Sequence, residues 1–311
     1  MLTDLRNSLH GLWLPLITPF RHGELDEKSL RRMVRHYTAL PVNGMILAAT
    51  TGESLTLTVA ETERLVRIVR DEAGNARNLP LVLGLSGSNT HTLLDMLERT
   101  AAWPIDGYLI SCPYYSRPSQ QGMRLHFEAL ADRAPHPVML YNIPYRTGVN
   151  LGNAAMLQLA QHPNILGCKD CCADRDQSLE LLRRRPQSYA VLTGEDAQYH
   201  EALVDGADGG ILASAHLETE SFAEIFKLEA AGEGDAALEL WRSVADLTRL
   251  LFAEPSPAPI KYWLWRSGLI DSAELRLPMT EASRELAARL DLEIERRKRR
   301  AASASRAGAA G

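Results

Sequence analysis

Eight short apolar or β-branched runs, separated mostly by stretches of helical periodicity, constrain this 311-residue chain more than any other feature. The runs occupy 12–18, 44–50, 81–86, 107–112, 138–142, 165–169, 190–194 and 210–214. Between them, amphipathic segments at 27–40, 59–72, 92–102, 122–133, 154–161, 177–184 and 197–204 carry apolar residues on one helical face. Strands that alternate with helices pair in parallel, and eight such units predict closure into a (β/α)8 barrel. An open doubly wound sheet is the competing architecture. It would carry a glycine-rich phosphate turn after the first strand, where Thr18-Pro19-Phe20 stands instead.

From about residue 215 the pattern is helix after helix, at 218–231, 235–252, 259–267 and 281–298, with Pro255, Pro257 and Pro259 breaking the chain between two of them. The first completes the barrel. The expected organisation is a barrel domain at 1–232, a C-terminal helical region at 233–300 and a disordered tail at 301–311, where an Ala/Ser/Gly run follows Arg296-Arg297-Lys298-Arg299-Arg300.

Barrels of this type place their chemistry at the C-terminal ends of the strands. Those ends bring together Thr18, Thr50 with Thr51, Ser86, Tyr114 with Tyr115, Tyr141, Lys169, Gly194 and Ser214. Lys169 is one of only five lysines and ends a short apolar run. Desolvation disfavours an ammonium and can free an amine nucleophile for Schiff-base chemistry, whereas a lysine at the end of an edge strand can also snorkel to water. The segment Ala49-Thr50-Thr51-Gly52-Glu53-Ser54 reads either as a carboxylate cradle of hydroxyls and amides or as an ordinary capped turn. After the fifth run, Tyr141 and Arg146 bring a proton-shuttling phenol and a carboxylate-gripping guanidinium to the same rim, though either residue type also serves structure. Glycines at 206–210 read as a phosphate loop or as a tight turn. Neither a nucleophile elbow nor a Walker-type loop is present.

The net charge of −5 gives no electrostatic reason to bind nucleic acid or an anionic membrane, so the expected partners are small molecules and further copies of the chain. No apolar run approaches a membrane span and the N-terminus does not resemble a signal peptide, which points to the cytoplasm. Four cysteines form no disulfide scaffold. Cys168, Cys171 and Cys172 cluster, but the second ligand pair of a metal site is missing, so no metal is expected.

Taken together, Ala-Thr-Thr-Gly-Glu-Ser, the 113–120 segment Pro-Tyr-Tyr-Ser-Arg-Pro-Ser-Gln, Tyr-Asn-Ile-Pro-Tyr-Arg-Thr-Gly and Gly-Cys-Lys-Asp closely resemble the dihydrodipicolinate synthase and N-acetylneuraminate lyase family. The similarity runs from Gly11 through Pro259-Ile260-Lys261 to Met279, nearly the whole chain. The resemblance implies a class I aldolase without external cofactor, acting on pyruvate and an aldehyde. It implies that Lys169 forms the imine, that Tyr141 relays protons, and that Thr50 links Tyr141 to Tyr115, which reaches a neighbouring subunit's site in a homodimer or homotetramer. Thr51 would hold the pyruvate carboxylate, while Gly194 and Ile211 line the pocket. Arg146 matches the branch that condenses pyruvate with L-aspartate 4-semialdehyde to 4-hydroxytetrahydrodipicolinate, in the lysine and diaminopimelate route. Departures at Ala49, Tyr145 and Asp170-Cys171-Cys172 keep a related 2-keto acid aldolase or sugar-acid dehydratase open, and a non-catalytic keto-acid-binding homologue is the third reading. Val59, Thr62 and Leu93 stand where lysine-inhibited members carry histidines and a glutamate, which implies weak or absent feedback.

Overall fold

The computed structural model describes residues 5–74 and 79–308. In chain order its strands are β1 (Gly11–Pro15), β2 (Phe20–Arg21), β3 (Glu24–Leu25), β4 (Gly44–Leu47), β5 (Leu81–Leu85), β6 (Gly107–Ser111), β7 (Val138–Asn142), β8 (Ile165–Asp170), β9 (Ala190–Thr193) and β10 (Gly209–Ile211). Eight of them close a parallel barrel in the order β1-β10-β9-β8-β7-β6-β5-β4, while β2 and β3 form a small antiparallel hairpin. The expected (β/α)8 barrel is therefore the fold.

The helices are α1 (Glu27–Thr38), α2 (Val59–Ala73), α3 (Thr90–Thr100), α4 (Gln120–Arg133), α5 (Pro144–Thr147), α6 (Asn153–Leu159), α7 (Arg175–Arg184), α8 (Tyr199–Val204), α9 (Ala215–Ala230), α10 (Gly234–Leu251), α11 (Ala258–Arg266) and α12 (Arg284–Gly308). Local signals set several starts. Asp26, Asn89, Ser119 and Asp174 each accept a backbone N–H in the first turn of the helix that follows, and Thr58 with Glu61 forms a full capping box.

Several strands are shorter than the apolar runs that announced them. Ile17, Ala48, Ala49, Cys112, Leu212 and Ala213 stay buried but lie past the ladder, and apolar pattern alone does not separate a strand from the buried loop leaving it. The tail differs as well. α12 runs to Gly308, past the point where disorder was expected, because 301–307 is mostly alanine, the strongest helix former, and lacks glycine and proline. Residues 309–311 lie outside the described residues.

Two hydrophobic cores result from the strand period. Leu12, Leu14, Leu47, Leu83 and Leu140 face the helices, whereas Trp13, Ile46, Val82, Leu109, Met139 and Ile211 fill the barrel interior. Leu5 joins the inner core beside Gly107 at the N-terminal mouth, which closes that end. Each fully buried Leu or Ile contributes about 1.5–3 kcal/mol. The register between β7 and β8 shifts at Val138/Met139, and this irregularity lets Leu166 face inward while Cys168, two residues on, faces the helices. Among the described residues no helix is long and apolar enough to cross a membrane.

The C-terminal region is tied to the opposite mouth. Between α11 and α12, the Glu274 carboxylate accepts from the His22 and Gly23 amides at 2.7 and 2.6 Å. Arg32 pairs with Asp271 at 2.6 Å and Arg276 with Glu61 at 2.5 Å. The hairpin, α1 and α2 thus hold this stretch over the strand ends.

Candidate active site

Lys169 lies near the end of β8 with only 6 % of its surface exposed, so it does not snorkel. Its Nζ sits 4.6 Å from the centroid of the Tyr141 ring on the neighbouring strand, where the two residues are register partners. An aromatic face offsets part of the desolvation cost without neutralising the amine. No salt bridge to Lys169 is found among the described residues. Gly194, just past β9, makes room for the side chain: a Cβ there would overlap Lys169 Cε and Cys171 Sγ.

Tyr141 is buried, and its phenol is pushed well above the ordinary tyrosine range, first by desolvation and then by the neighbouring Cys171 and Tyr145, with the Thr50 hydrogen bond and Arg146 opposing. The phenol therefore keeps its proton at neutral pH and is available as a donor. Thr50, Tyr141 and Arg146 line one cavity of about 320 Å³ at the mouth, together with Ser86, Ser111, Tyr114 and Glu53. The Ser111 Oγ is buried without a partner and stands beside Tyr141 in register.

Thr50 and Thr51 belong to a turn pinned from several sides. Glu53 N–H donates to Thr50 O at 3.1 Å, Ser54 N–H donates to Ala49 O at 3.2 Å, and the Thr18 hydroxyl donates to Gly52 O at 2.7 Å. Glu53 holds a left-handed φ of 53°. A Cβ at Gly52 would meet Leu16 O at 3.0 Å, which explains glycine there. Thr51 is buried in this turn, and Ile211 joins Tyr141, Ile143 and Cys171 in the inner core.

Tyr115 is the sequence-derived site residue that the fold does not gather with the others. Its side chain is 93 % exposed and its φ is +67°, a conformation that costs a bulky residue about 1–3 kcal/mol. The Tyr115 amide is held by Thr147 O at 3.2 Å. The glycines at 206–210 form a tight turn: Gly209 packs on the backbone of Gly11 at the start of β1, far from the strand ends where a phosphate would be read.

Sequence reasoning missed Glu195 and Asp196. Both follow Gly194, and both carboxyls are raised in pKa chiefly by burial, with Lys169 opposing. Cys171 and Tyr145 lie beside Glu195 and oppose the rise, while Asp196 accepts the Ser214 amide at 2.5 Å. The adjacent acids after a strand-end glycine were the available signal. All four cysteines are free and buried, and burial is the main cause holding the Cys171 thiol well above its ordinary range, so it stays protonated. Among the described residues no group of three or more His, Cys, Asp or Glu is arranged for a metal.

The profile of the Dihydrodipicolinate synthetase family matches residues 8–296. A 4-hydroxy-tetrahydrodipicolinate synthase 2 from Clostridium acetobutylicum is 42% identical over 283 residues, covering 91% of this chain and 98% of the relative. The crystal structure of dihydrodipicolinate synthase from Aquifex aeolicus superposes with a TM-score of 0.89 at 30% identity, covering 93% and 98% of the two chains. A solved monomeric dihydrodipicolinate synthase variant reaches 0.90 at 29% identity, covering 94% and 98%. A buried amine stacked on a protonated phenol at the barrel mouth agrees with a match of this extent, and the chain belongs to the dihydrodipicolinate synthetase family as a lyase-type enzyme.

Proposed function

We propose that the protein condenses pyruvate with L-aspartate 4-semialdehyde through a Schiff base on Lys169, yielding 4-hydroxytetrahydrodipicolinate. The observation that carries this reading is the buried, salt-bridge-free Lys169 amine against the Tyr141 ring. The free amine attacks the ketone carbon of pyruvate, water leaves, and an imine forms. Tyr141, protonated at neutrality, delivers a proton to the departing hydroxyl and later accepts one as the methyl group gives up a proton to make the enamine. Thr50, which shares the cavity wall with Tyr141 and lowers its pKa, is the next link for that proton. Thr51 holds the pyruvate carboxylate, and Gly194 and Ile211 line the pocket around the imine. Arg146, on the cavity wall, takes the carboxylate of the aldehyde substrate. The enamine carbon then attacks the aldehyde, and the amino group of the adduct displaces Lys169 on ring closure.

The exposed Tyr115 with its left-handed backbone supports a role across an interface, which requires at least a dimer. A second reading keeps pyruvate and Lys169 but takes a hydroxylated aldehyde or sugar acid. It is favoured by Glu195 and Cys171, which set a carboxyl and a thiol near the amine, and by Tyr145, whose phenol lies beside both. Borohydride reduction with pyruvate followed by peptide mass mapping tests the shared core, and the expected adduct is on Lys169. Absence of that adduct removes both readings. Turnover of aspartate semialdehyde against a panel of hydroxyaldehydes separates them.

A further inference from the structure

Lys261 on α11 is completely buried, in a region that belongs to the C-terminal helices rather than to the barrel. Its Nζ forms an ion pair with Glu53, whose carboxyl is also buried, and donates to Glu274 O at 2.9 Å. The other Glu53 oxygen accepts the Arg276 amide at 3.1 Å. Both cations approach the Phe20 ring, Lys261 Nζ at 4.4 Å and the Arg276 guanidinium carbon at 4.3 Å from its centroid. Glu53 is part of the turn that carries Thr50 and Thr51, holds a left-handed φ and lines the same cavity as Tyr141 and Arg146. The contacts therefore join a helix more than 200 positions away in sequence to the turn on which the substrate carboxylate and the Thr50 hydroxyl depend.

We propose that Lys261 is a positioning residue for the reaction: through the Glu53 carboxylate it holds the Thr50–Thr51 turn in its binding geometry, so that the C-terminal helical region is part of the active site. This rests on the functional reading above. A buried carboxylate stripped of its counter-ion seeks water or protonates, and the strained turn relaxes with it. The groups facing Lys261 are Glu53 from the turn, and Glu274 and Arg276 from the stretch after α11, with Arg276 itself held by Glu61 of α2. Burial lowers the Lys261 ammonium to about 8, against the opposing pull of Glu53, so the clamp loses its positive charge as pH rises through that value.

The test uses the full-length protein with Lys261→Met, Lys261→Arg and Glu53→Gln, measuring pyruvate KM and kcat from pH 6.5 to 9.5, borohydride trapping on Lys169, and circular dichroism. Misplacing a binding turn without touching the nucleophile raises pyruvate KM by about ten-fold with a smaller fall in kcat. Lys261→Met and Glu53→Gln are expected to do this, and the double variant is expected to be no worse than the worse single. Wild type is expected to lose pyruvate affinity above about pH 8, a loss that Lys261→Arg delays because guanidinium stays charged. Should Lys261→Met not fold, the isosteric Glu53→Gln decides. KM within two-fold of wild type in Glu53→Gln, additive effects in the double variant, or an unchanged alkaline limb in Lys261→Arg would each overturn the clamp. A wild type that traps no pyruvate on Lys169 overturns the functional reading instead, which separates the two failures.

Discussion

Two of the five lysines are buried near the same barrel mouth, and their surroundings are opposite. Lys261 is met by a carboxylate, a carbonyl and a ring, whereas Lys169 meets the Tyr141 ring and the bare backbone of Gly194 without an ion pair. Burial by itself therefore does not mark a nucleophile. A paired ammonium is committed to holding structure, while an unpaired amine that has already been stripped of water is free to bond to a carbonyl carbon.

Exchanging each lysine in turn is the strongest way to break this contrast. Lys169→Ala is expected to lower kcat/KM by about 10⁴-fold or more, because covalent catalysis has no substitute at that position. Its melting temperature should hold or rise, since a buried amine with no ion-pair partner is removed. Steady-state rates and a thermal melt on one preparation check both halves, and a large fall in melting temperature would return Lys169 to the structural class.

Lys261→Ala should do the reverse in stability, costing about 3–5 kcal/mol in denaturant unfolding because Glu53 is left buried and unpaired. The pH response has a definite sign. Lys261 titrates at about 8 when folded, below the ~10.4 of an unfolded chain, so between those values the unfolded state holds more protons and stability rises by up to ~1.4 kcal/mol per pH unit. Lys261→Met lacks this term, and the difference between the two pH–stability curves isolates it. A constant difference from pH 7 to 10 would contradict the assignment.

Tyr141 sharpens the Lys169 side of the comparison. Tyr141→Phe keeps the ring under the amine and removes only the hydroxyl, so kcat should fall by about 10²-fold while borohydride trapping persists at a slower rate. An undiminished rate would mean that the ring, and not its proton, is what the amine needs.

The barrel was legible because period-2 and period-3.6 patterns alternate through the chain, and the rim residues followed from reading strand ends. What the strand ends did not reveal is pairing across long separations. Glu53 and Lys261 lie 208 positions apart, and nothing local to either predicts the ion pair. Glu195 escaped for a different reason: acids after a turn glycine read as solvated, and only the approach of Cys171 and Tyr145 makes this one part of the site. Tyr115 stays outside the cluster, 93 % exposed on a left-handed backbone, and reading strand ends does not separate a residue that turns into the mouth from one that turns away from it.

The smallest expected effect concerns regulation. A free lysine bound near the mouth would need acceptors for its two ammonium groups. Leu93 of α3 is buried in the outer core and offers none, while Val59 and Thr62 in the first turn of α2 are themselves uncharged. Glu61, the nearest acid on that turn, is engaged by Arg276, which with the Thr58 contacts lowers its pKa to about 2. Millimolar L-lysine should therefore change the initial rate by less than about two-fold, below the roughly five-fold that is the low end of ordinary allosteric coupling. Initial rates across a lysine titration at fixed pyruvate measure this. A steep inhibition curve would mean that acceptors come from elsewhere, and the cavity wall at Ser86, Tyr114 and Glu53 is where substitutions should then be made, since those groups lie on the shared lining with Thr50 and Tyr141.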